Sequence, residues 1–519
     1  MCGILFSNNP CVSEVSFNGA LLMMHHRGPD AHRTEFLGPN KLGHTRLRIL
    51  DLDSRSDQPF RSACGRYLMV FNGEIYNYKD LEKKYELNLR TSGDTEVLVE
   101  LFVLLKERVL DELLGMFAFV VLDTQTNEIF AARDRLGVKP LYIMRDRDNF
   151  TLSSEIRPLL ELFGTPTVDI LAIRQYMKAR AFFNGRTLYK GISMVPAGHY
   201  FQEGKLKKYW DLPCVDDYTK QVNDEELKVL LQSAVDYRCL ADVPVGSYLS
   251  GGVDSTIVAA LSGKPNTWTI GFEEANEFRW ARIAADKFGA SHTEVLINSE
   301  EFRELARYLI EYRKEPLSVP NEVLLYKMTK SVKTLNTVVL SGEGADELFF
   351  GYDRIFRWAA NADWDLREFD RHYSYGSHRD DEVLEDILAP IKDRTNCLDK
   401  VSVFFQKYHL HGLLRRVDNS TMMCSVEARV PFVDHRLVEL MYGVGMEYRY
   451  KDGIVKAPLK RIYSNILPLK VIDRPKVGFP VPTADIFKGP GTGMDKWLRF
   501  NMETLLGVCW DEIVGEFII

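Results

Sequence analysis

The chain has 519 residues, of which 45% are hydrophobic and 27% charged, and its formal net charge is −7 at pH 7. Because this length exceeds what one hydrophobic core usually organises, we expect a globular protein of at least two domains. The negative charge, without a block of lysine and arginine, argues against nucleic acid as a main partner. We find no signal peptide and no apolar stretch long enough to cross a bilayer. The eight cysteines are scattered along the chain without metal-ligand spacing. We therefore expect a cytoplasmic protein with reduced thiols and no membrane partner.

The first candidate catalytic residue is Cys2, which follows Met1. A small side chain at position 2 permits removal of the initiator methionine, which leaves Cys2 with a free α-amine. This amine has a reference pKa of about 7.7–8.0, against about 8.5 for the thiol, and can act as the general base that takes the thiol proton. Position 2 alone is equally compatible with a small apolar residue that has no catalytic role.

The next segments predict a loop, two strands and a pair of hydrogen-bond donors. Residues 25–30 contain a Gly-Pro turn signal and are predicted to be a loop, whereas residues 44–52 alternate like a half-buried strand. Residues 67–71 predict a further strand, which ends at Asn72 and Gly73. An Asn side-chain amide and a Gly backbone N–H there can donate to a developing oxyanion. Asn-Gly is also the common hairpin turn, so the structural alternative stays open.

An apolar helix and a buried strand complete this region. The helix is predicted from Val97 toward Val109, and Asp94 precedes it, so that a simple N-cap is one interpretation of Asp94. Residues 115–123 are almost continuously apolar, which predicts a strand buried on both faces.

Together these segments resemble the class II glutamine amidotransferase domain, from Cys2 to about Gly198, and we assign residues 1–200 to it. The resemblance implies an α/β/β/α sandwich of two antiparallel sheets, of the Ntn-hydrolase type. It also implies that Cys2 attacks the side-chain amide of glutamine to give a thioester and ammonia. By position, Arg46 would bind the α-carboxylate of glutamine, Glu74 and Asp94 its α-amine, and Asn72 and Gly73 the oxyanion, while His25, His26 and Arg27 would be structural.

The C-terminal part of the chain predicts a different kind of domain. Residues 201–222 include a polar segment with a proline and are predicted to be the junction. From residue 223 to residue 519, helical patterns alternate with short apolar strands, which is the order of a parallel sheet.

A phosphate-binding loop is predicted at residues 250–255, Ser-Gly-Gly-Val-Asp-Ser, between an apolar strand and a helix. Gly251 and Gly252 let the backbone approach a ligand closely, and the N–H groups of the helix start can bind an anion. Ser250 and Ser255 add hydroxyl donors, and Asp254 can hold a divalent cation. The loop lacks the Gly-Lys-Ser/Thr ending of a kinase-type P-loop, so we interpret it as the pyrophosphate loop of an enzyme that cleaves ATP to AMP. Ordinary turn chemistry is the alternative.

Two further strands are predicted to end at the same edge of the sheet. Residues 267–272 form one of them, and residues 337–340 form the other, which leads into the loop Ser341-Gly342-Glu343-Gly344-Ala345-Asp346-Glu347. Ligands of such sheets lie at the carboxyl ends of the strands. Asp254 and Asp346 would there share Mg²⁺ with pyrophosphate oxygens. Lys476 is a candidate cation for the same phosphates, although a lone lysine is more often a solvated surface residue.

These loops, with residues 427–432 and 474–480, resemble the synthetase domain of glutamine-hydrolysing asparagine synthetases, a PP-loop ATP pyrophosphatase domain with a helical extension. The resemblance implies that Leu249, Ile270, Ser341 and Gly342 contact AMP, and that residues 250–255 with Lys476 bind pyrophosphate. It implies that Glu343 assists the attack of ammonia on an acyl-adenylate, which forms when a carboxylate displaces pyrophosphate from ATP. Since ammonium is no nucleophile, we expect an apolar passage for ammonia between the domains. Homodimers are common among such proteins.

The acceptor carboxylate is the open point of this interpretation. Asparagine synthetases usually carry acidic residues where this chain has Lys314 and Val319, and residues 418–424 follow the family only loosely. Aspartate is our first choice of acceptor. The second is another carboxylate, such as a uronic acid of a surface polysaccharide or a precursor of a secondary metabolite. A binding protein on an inactive scaffold is a third hypothesis, and the presence of the site residues Cys2, Asn72, Asp94, Asp254, Asp346 and Lys476 argues against it.

Overall fold

The structure, a computed structural model, describes residues 2–374, 379–474 and 481–513. Two six-stranded antiparallel sheets form the N-terminal half, with the orders β10-β8-β9-β1-β3-β2 and β12-β11-β7-β6-β5-β4. Their strands are β1 (Gly3–Ser7), β2 (Ala31–Leu37), β3 (Asn40–Arg46), β4 (Phe60–Arg61), β5 (Tyr67–Ile75), β6 (Gly115–Asp123), β7 (Ile129–Arg133), β8 (Tyr142–Asp146), β9 (Asn149–Ser153), β10 (Ile192–Met194), β11 (His199–Gln202) and β12 (Lys205–Lys208).

The two sheets pack face to face through apolar side chains. Along β1, Ile4 and Phe6 lie in this inner layer and Leu5 in the cluster on the outer face, because successive side chains of a strand point to opposite faces. The helices of this half are α1 (Glu14–Leu22), α2 (Tyr78–Lys84), α3 (Asp94–Leu105), α4 (Val109–Glu112), α5 (Ile156–Phe163) and α6 (Ile170–Ala179). Helix α1 contacts β3 and α3 contacts β5, which confirms the predicted α/β/β/α sandwich.

A parallel sheet of five strands forms the core of the C-terminal half, in the order β15-β14-β13-β16-β17. The strands are β13 (Val245–Tyr248), β14 (Asn266–Gly271), β15 (Ser291–Leu296), β16 (Val338–Leu340) and β17 (Glu427–Arg429). The helices α7 (Asp224–Arg238), α8 (Val253–Ser262), α9 (Phe278–Phe288), α10 (Ser299–Arg313) and α11 (Asn321–Val332) alternate with these strands. Because the neighbouring strands are parallel, the loops that follow β13, β14 and β16 open at one edge of the sheet, as predicted.

Helices make up most of the remaining chain. They are α12 (Ala345–Leu348), α13 (Asp353–Asn361), α14 (Leu366–Tyr373), α15 (Asp381–Leu388), α16 (Cys397–Val403), α17 (Leu410–Met422), α18 (His435–Met441), α19 (Met446–Arg449), α20 (Ala457–Ile462), α21 (Leu469–Ile472), α22 (Thr483–Ile486), α23 (Gly493–Leu506) and α24 (Trp510–Ile513). A π-helical segment, Phe404–His409, joins α16 to α17, and β18 (Tyr450–Lys451) pairs with β19 (Ile454–Val455). Within the described ranges, no helix is long and apolar enough to cross a membrane.

The structure corrects the predicted bounds of three elements. The strand predicted over residues 44–52 ends at Arg46, because the Arg46 guanidinium binds carbonyl groups of the chain that follows and folds it into a loop. The strand predicted over residues 67–71 continues to Ile75, so Asn72 and Gly73 pair with β6 and do not form a hairpin turn. The helix predicted from Val97 begins at Asp94 instead.

The two halves of the chain contact each other through buried charged groups. Arg27 lies 3.0 Å from Asp418, and Glu74 lies 3.2 Å from Arg429. Strands β11 and β12 continue the second antiparallel sheet to Lys208, so this sheet extends into the segment predicted as a junction.

Candidate active sites

The Cys2 side chain is buried at the start of β1, where it is 8% exposed. Its backbone nitrogen donates a hydrogen bond to Asn72 Oδ1 at 3.0 Å, and its carbonyl oxygen accepts one from Arg27 Nε at 3.1 Å. Burial raises the pKa of the Cys2 thiol. The thiol therefore needs a base close by to become a nucleophile at neutral pH.

Asn72 and Gly73 belong to strand β5, and Asn72 lies beside Cys2. Asn72 is fully buried, and its Nδ2 amide has no hydrogen-bond partner among the described residues. An unpaired buried donor costs about 1–3 kcal/mol, so a ligand that accepts its hydrogen bond would recover this free energy. A Cβ atom on Gly73 would lie 2.1 Å from Met116 O, so only glycine fits at this position. The structure thus places Asn72, one of the two predicted oxyanion donors, beside Cys2, and Gly73 follows it along β5.

Glu74 and Asp94 are buried carboxyl groups that lie close to Glu427, a carboxylate of the C-terminal half. Asp94 Oδ2 accepts a hydrogen bond from the Ile75 N–H at 2.8 Å. Burial, together with the nearby Glu427 carboxylate, raises the pKa of Asp94 to about 6 and raises that of Glu74 well above its ordinary value. A cation bound nearby would stabilise the ionised form of each carboxyl group, because the neighbouring negative charges oppose its ionisation.

Arg429 and Glu427 belong to this site, although the sequence analysis gave them no role in it. Arg429 is fully buried on β17, 3.2 Å from Glu74 Oε1, and its Nε donates to Glu427 Oε1 at 2.5 Å. Both residues lie more than 300 positions along the chain from Glu74. Local sequence therefore carried no signal that could join them to it.

Arg46 lies at the end of β3, but its guanidinium is already engaged. Its terminal nitrogens donate hydrogen bonds to the carbonyl groups of Leu50, Asp51 and Asp53 and to the carboxylate of Asp57. Arg46 therefore orders the loop beside Cys2. The binding of the glutamine α-carboxylate by Arg46 stays a prediction. The carboxylate would have to share the guanidinium with these four residues.

The second site is a cavity of about 1130 Å³ at the carboxyl ends of the parallel strands. Its wall includes Ser250, Gly252 and Asp254 of the predicted phosphate loop. Gly251 has a φ of +73°, and a Cβ atom there would lie 2.3 Å from the Trp280 carbonyl carbon, so the turn requires glycine.

The phosphate loop is held in place by its own hydroxyl groups. Ser250 Oγ lies 3.1 Å from Ser255 Oγ, and the Gly252 N–H donates to Ser250 Oγ at 3.3 Å. Gly252 then precedes α8, so the N–H groups of the first helical turn face the loop. This arrangement suits an anion such as pyrophosphate.

The second predicted loop packs directly on the first. A Cβ atom on Gly342 would lie 2.9 Å from the Ser255 nitrogen, so the contact depends on a glycine. The Ser341 N–H donates to Arg429 O at 2.9 Å. Leu249 and Ile270 are buried in apolar clusters next to the cavity, so a contact with a nucleotide would use their main-chain atoms.

Lys456 lies between the two carboxylates that were predicted to bind metal. Its Nζ is 2.5 Å from Asp254 Oδ2 and 2.6 Å from Asp346 Oδ1. Burial alone would lower the pKa of Lys456, but the two carboxylates raise it, so the ammonium stays charged. Gly351 leaves room for this group, because a Cβ atom there would lie 1.7 Å from Asp346 Oδ1. The sequence contains no motif that marks Lys456, and the prediction missed it.

The donor set fits Mg²⁺ as a companion of ATP. Asp254 and Asp346 offer hard oxygen atoms, and they already accommodate a cation between them. No group of three or more potential metal ligands occurs in the part of the chain that the structure describes. The protein would thus supply two carboxylates, and phosphate oxygens would have to complete the coordination.

Glu343, the predicted helper of ammonia attack, faces the same cavity. Its Oε1 accepts a hydrogen bond from Arg416 Nη2 at 2.6 Å, and Arg416 Nη1 donates to Asn321 at 3.1 Å. Of the two positions that depart from asparagine synthetases, Val319 lines the cavity. Lys314 is exposed and is not among the described lining residues.

Lys476 and the other residues of segment 475–480 lie outside the described residues. The residue before them, Arg474, donates a hydrogen bond to Ser250 O at 3.3 Å and forms an ion pair with Glu277. Arg474 therefore lies beside the predicted phosphate loop. The role of Lys476 in binding pyrophosphate stays a prediction.

Comparisons with known proteins agree with this division into two halves. The family described as "Glutamine amidotransferase domain" matches residues 1–210, and the family described as "Asparagine synthase" matches residues 226–499. Asparagine synthetase [glutamine-hydrolyzing] 1 of Bacillus subtilis is 29% identical, over 96% of this chain and 89% of its own length. A putative asparagine synthetase of Mycobacterium tuberculosis is 31% identical over 89% and 83%, and the Rattus norvegicus asparagine synthetase is 29% identical over 92% and 84%.

The fold, the sites and these matches define an ATP-dependent ligase of the glutamine-hydrolysing class. The chain belongs to the glutamine-hydrolysing asparagine synthetase family.

Proposed function

We propose that the protein is a glutamine-dependent asparagine synthetase. It would release ammonia from glutamine at Cys2 and transfer it to an acyl-adenylate made from L-aspartate and ATP, giving asparagine, AMP, pyrophosphate and glutamate. The observation that carries this proposal is the convergence of the phosphate loop, the Asp254–Asp346 pair and Glu343 on one cavity. A cytoplasmic location and a homodimer belong to the same proposal.

The glutaminase half-reaction would start at the free amine of Cys2. The backbone nitrogen of Cys2 donates a hydrogen bond to Asn72 Oδ1. Once Met1 is removed, this nitrogen becomes the free α-amine, which can take the proton of the Cys2 thiol. Asn72 Nδ2 and the Gly73 N–H would then stabilise the oxyanion, and one such donor is worth about 3–4 kcal/mol in the transition state. Glu74 and Asp94 would bind the ammonium group of glutamine. Burial and neighbouring carboxylates raise the pKa of both groups even though Arg429 lies beside Glu74, so a further cation would stabilise their ionised forms.

The synthetase half-reaction would take place in the 1130 Å³ cavity. Mg²⁺ bound with ATP would neutralise phosphate charge beside Asp254 and Asp346. The N–H groups at the start of α8 and the hydroxyl groups of Ser250 and Ser255 would bind the leaving pyrophosphate. Glu343 would accept a proton from ammonia as it attacks, and Arg416 would hold the Glu343 carboxylate in position.

The acceptor site would adjoin Glu343. Arg416 and Asn321 offer N–H donors of the kind that a carboxylic acid needs, which supports an acidic acceptor such as aspartate. The second candidate, a carboxylate without an amino group, is favoured by Val319 and Leu413, which make part of this wall apolar.

The release of AMP and pyrophosphate from ATP separates the two candidates. The protein would be incubated with ATP, Mg²⁺ and ammonium, together with aspartate, glutamate, uronic acids or simple aliphatic acids. We expect aspartate to stimulate AMP formation most strongly and asparagine to be the product. Stimulation by a uronic acid but not by aspartate would replace the first candidate by the second.

A further inference from the structure

We infer that Asp418, a residue of the synthetase half, positions Cys2 for its reaction with glutamine and acts through Arg27. This inference rests on the proposed role of Cys2 as the nucleophile. Asp418 forms ion pairs with Arg27 and Lys139, and neither of these two is a predicted glutamine-binding residue. It is therefore a positioning residue.

Arg27 is the link between Asp418 and Cys2. Its guanidinium is fully buried and donates from three different nitrogens. Nε donates to Cys2 O at 3.1 Å, Nη1 to Glu155 Oε1 at 3.1 Å, and Nη2 to Asp418 Oδ2 at 3.0 Å. Because the guanidinium is planar and rigid, the two carboxylates fix the direction in which Nε points, and this direction fixes the Cys2 carbonyl.

The turn that carries Arg27 is also held from the synthetase half. The His26 carbonyl accepts a hydrogen bond from Ser425 Oγ at 2.6 Å, and the His26 ring lies 3.0 Å from the Tyr312 hydroxyl. A Cβ atom on Gly28 would lie 2.3 Å from the Thr45 carbonyl carbon, so the turn is packed against β3 as closely as glycine permits. These contacts limit how far Arg27 can move if Asp418 is lost.

Asp418 also balances a second buried cation. Lys139 is 1% exposed, and its Nζ lies 3.6 Å from Asp418 Oδ1. Burial lowers the pKa of Lys139, and Asp418 opposes this effect. Replacement of Asp418 by a neutral residue would therefore leave Arg27 and Lys139 with too little negative charge around them. This loss of charge balance would destabilise the fold, so its effect has to be separated from the loss of positioning.

Helix α17 carries Asp418 and also reaches the synthetase cavity. Arg416, two residues earlier on α17, binds Glu343 and Asn321 in that cavity. Residues two apart on a helix point in nearly opposite directions, so one turn of α17 serves two sites. The position of the Cys2 carbonyl is thus tied to the same helix that holds Glu343.

The test compares Asp418→Ala, Asp418→Asn and the double variant Asp418→Ala/Lys139→Met with the full-length wild-type protein. For each, glutaminase kcat and KM, ammonium-driven synthesis and the melting temperature are measured. We expect Asp418→Ala to lower kcat for glutamine at least ten-fold, with less than a three-fold change in KM for glutamine and in ammonium-driven synthesis. Asp418→Asn should retain part of the activity, because its amide oxygen can still accept from Arg27. The double variant should recover melting temperature but not glutaminase kcat.

Tyr237→Phe is the matched control, because it removes another hydrogen bond between the two halves, the one to Asp80, away from Arg27. It should leave both activities unchanged. Recovery of glutaminase kcat in the double variant would show that Asp418 only balances charge and would overturn the inference. An equal loss of both activities in Asp418→Ala would overturn it as well. If the wild-type protein used ammonium but not glutamine, the proposed function would fail first.

Discussion

The two candidate active sites are built in opposite ways. Around Cys2, the functional groups are buried, and the strand β5 and the start of α3 hold them in place. The synthetase cavity is a large opening whose charged groups come from loops at the ends of parallel strands. A closed site suits one small substrate, whereas an open site suits a nucleotide and a second reactant. This difference indicates that the two sites should respond differently to substitution and to pH.

The sharpest way to separate the sites is Cys2→Ala. Removal of the nucleophile should lower glutamine-dependent synthesis at least about a thousand-fold. Synthesis from ammonium should continue, because the cavity near Glu343 does not need Cys2. Cys11→Ala, at an exposed cysteine, is the control and should change neither activity. Loss of ammonium-driven synthesis in Cys2→Ala would refute the two-site scheme.

Lys456→Met should damage the open site in turn. It leaves Asp254 and Asp346 facing each other without their shared ammonium, and it removes a cation from the phosphate end of the cavity. We expect AMP formation to fall about a hundred-fold, the effect typical of one lost electrostatic contact in a transition state. The loss should be equal with glutamine and with ammonium, while glutaminase activity continues. Lys470→Met, at an exposed lysine, serves as the control.

The pH dependence should differ between the sites because of Asp94. Burial and Glu427 raise the pKa of Asp94 to about 6, so its carboxylate becomes protonated as the pH falls through that value. A protonated Asp94 cannot pair with the ammonium group of glutamine. The value of kcat/KM for glutamine should therefore decrease as the pH is lowered through about 6. The same shift makes Asp94 cost stability as the pH rises from about 4 to 6, since the folded state then binds the proton more tightly than the unfolded state. Asp94→Asn should abolish this acid limb, and ammonium-driven synthesis, compared at a constant concentration of unprotonated ammonia, should lack it.

The smallest effects are expected at the two positions where the chain departs from asparagine synthetases. Val319 lines the cavity, so Val319→Asp should change the order of preference among acceptor acids by several-fold. Lys314 is exposed, so Lys314→Asp should change KM for the acceptor less than two-fold. The acceptor panel described above measures both. A larger effect of Lys314→Asp than of Val319→Asp would contradict this assignment.

Sequence patterns predicted the parts of each site that lie within one segment. The pattern at residues 245–261 was sufficient to predict a strand, a glycine turn and a helix start, because these depend on neighbouring residues, while the binding of phosphate there stays a prediction. Asn72 and Gly73 were identified as candidate donors, but their alternative, a hairpin turn, could be dismissed only when their pairing with β6 was seen.

The residues that sequence reasoning missed all act across long stretches of chain. Lys456 meets Asp254 about 200 positions away, and Arg429 meets Glu74 about 350 positions away. Charged side chains of this kind are usually solvated surface groups, so composition and periodicity give no reason to select them. Tertiary packing brings them to a site, within the C-terminal half for Lys456 and between the two halves for Arg429.

The π-helical segment Phe404–His409 has a consequence for the angular phase of α17. It adds residues to a helical turn without breaking the helix, and α17 continues directly from it. Each residue of an α-helix turns the chain by about 100°, and a π-helical turn is wider, so the direction of every side chain of α17 depends on how many residues this segment holds. With the segment at its present length, Arg416 faces Glu343 and Asp418 faces Arg27. The segment thus sets the rotation of one helix for both candidate sites.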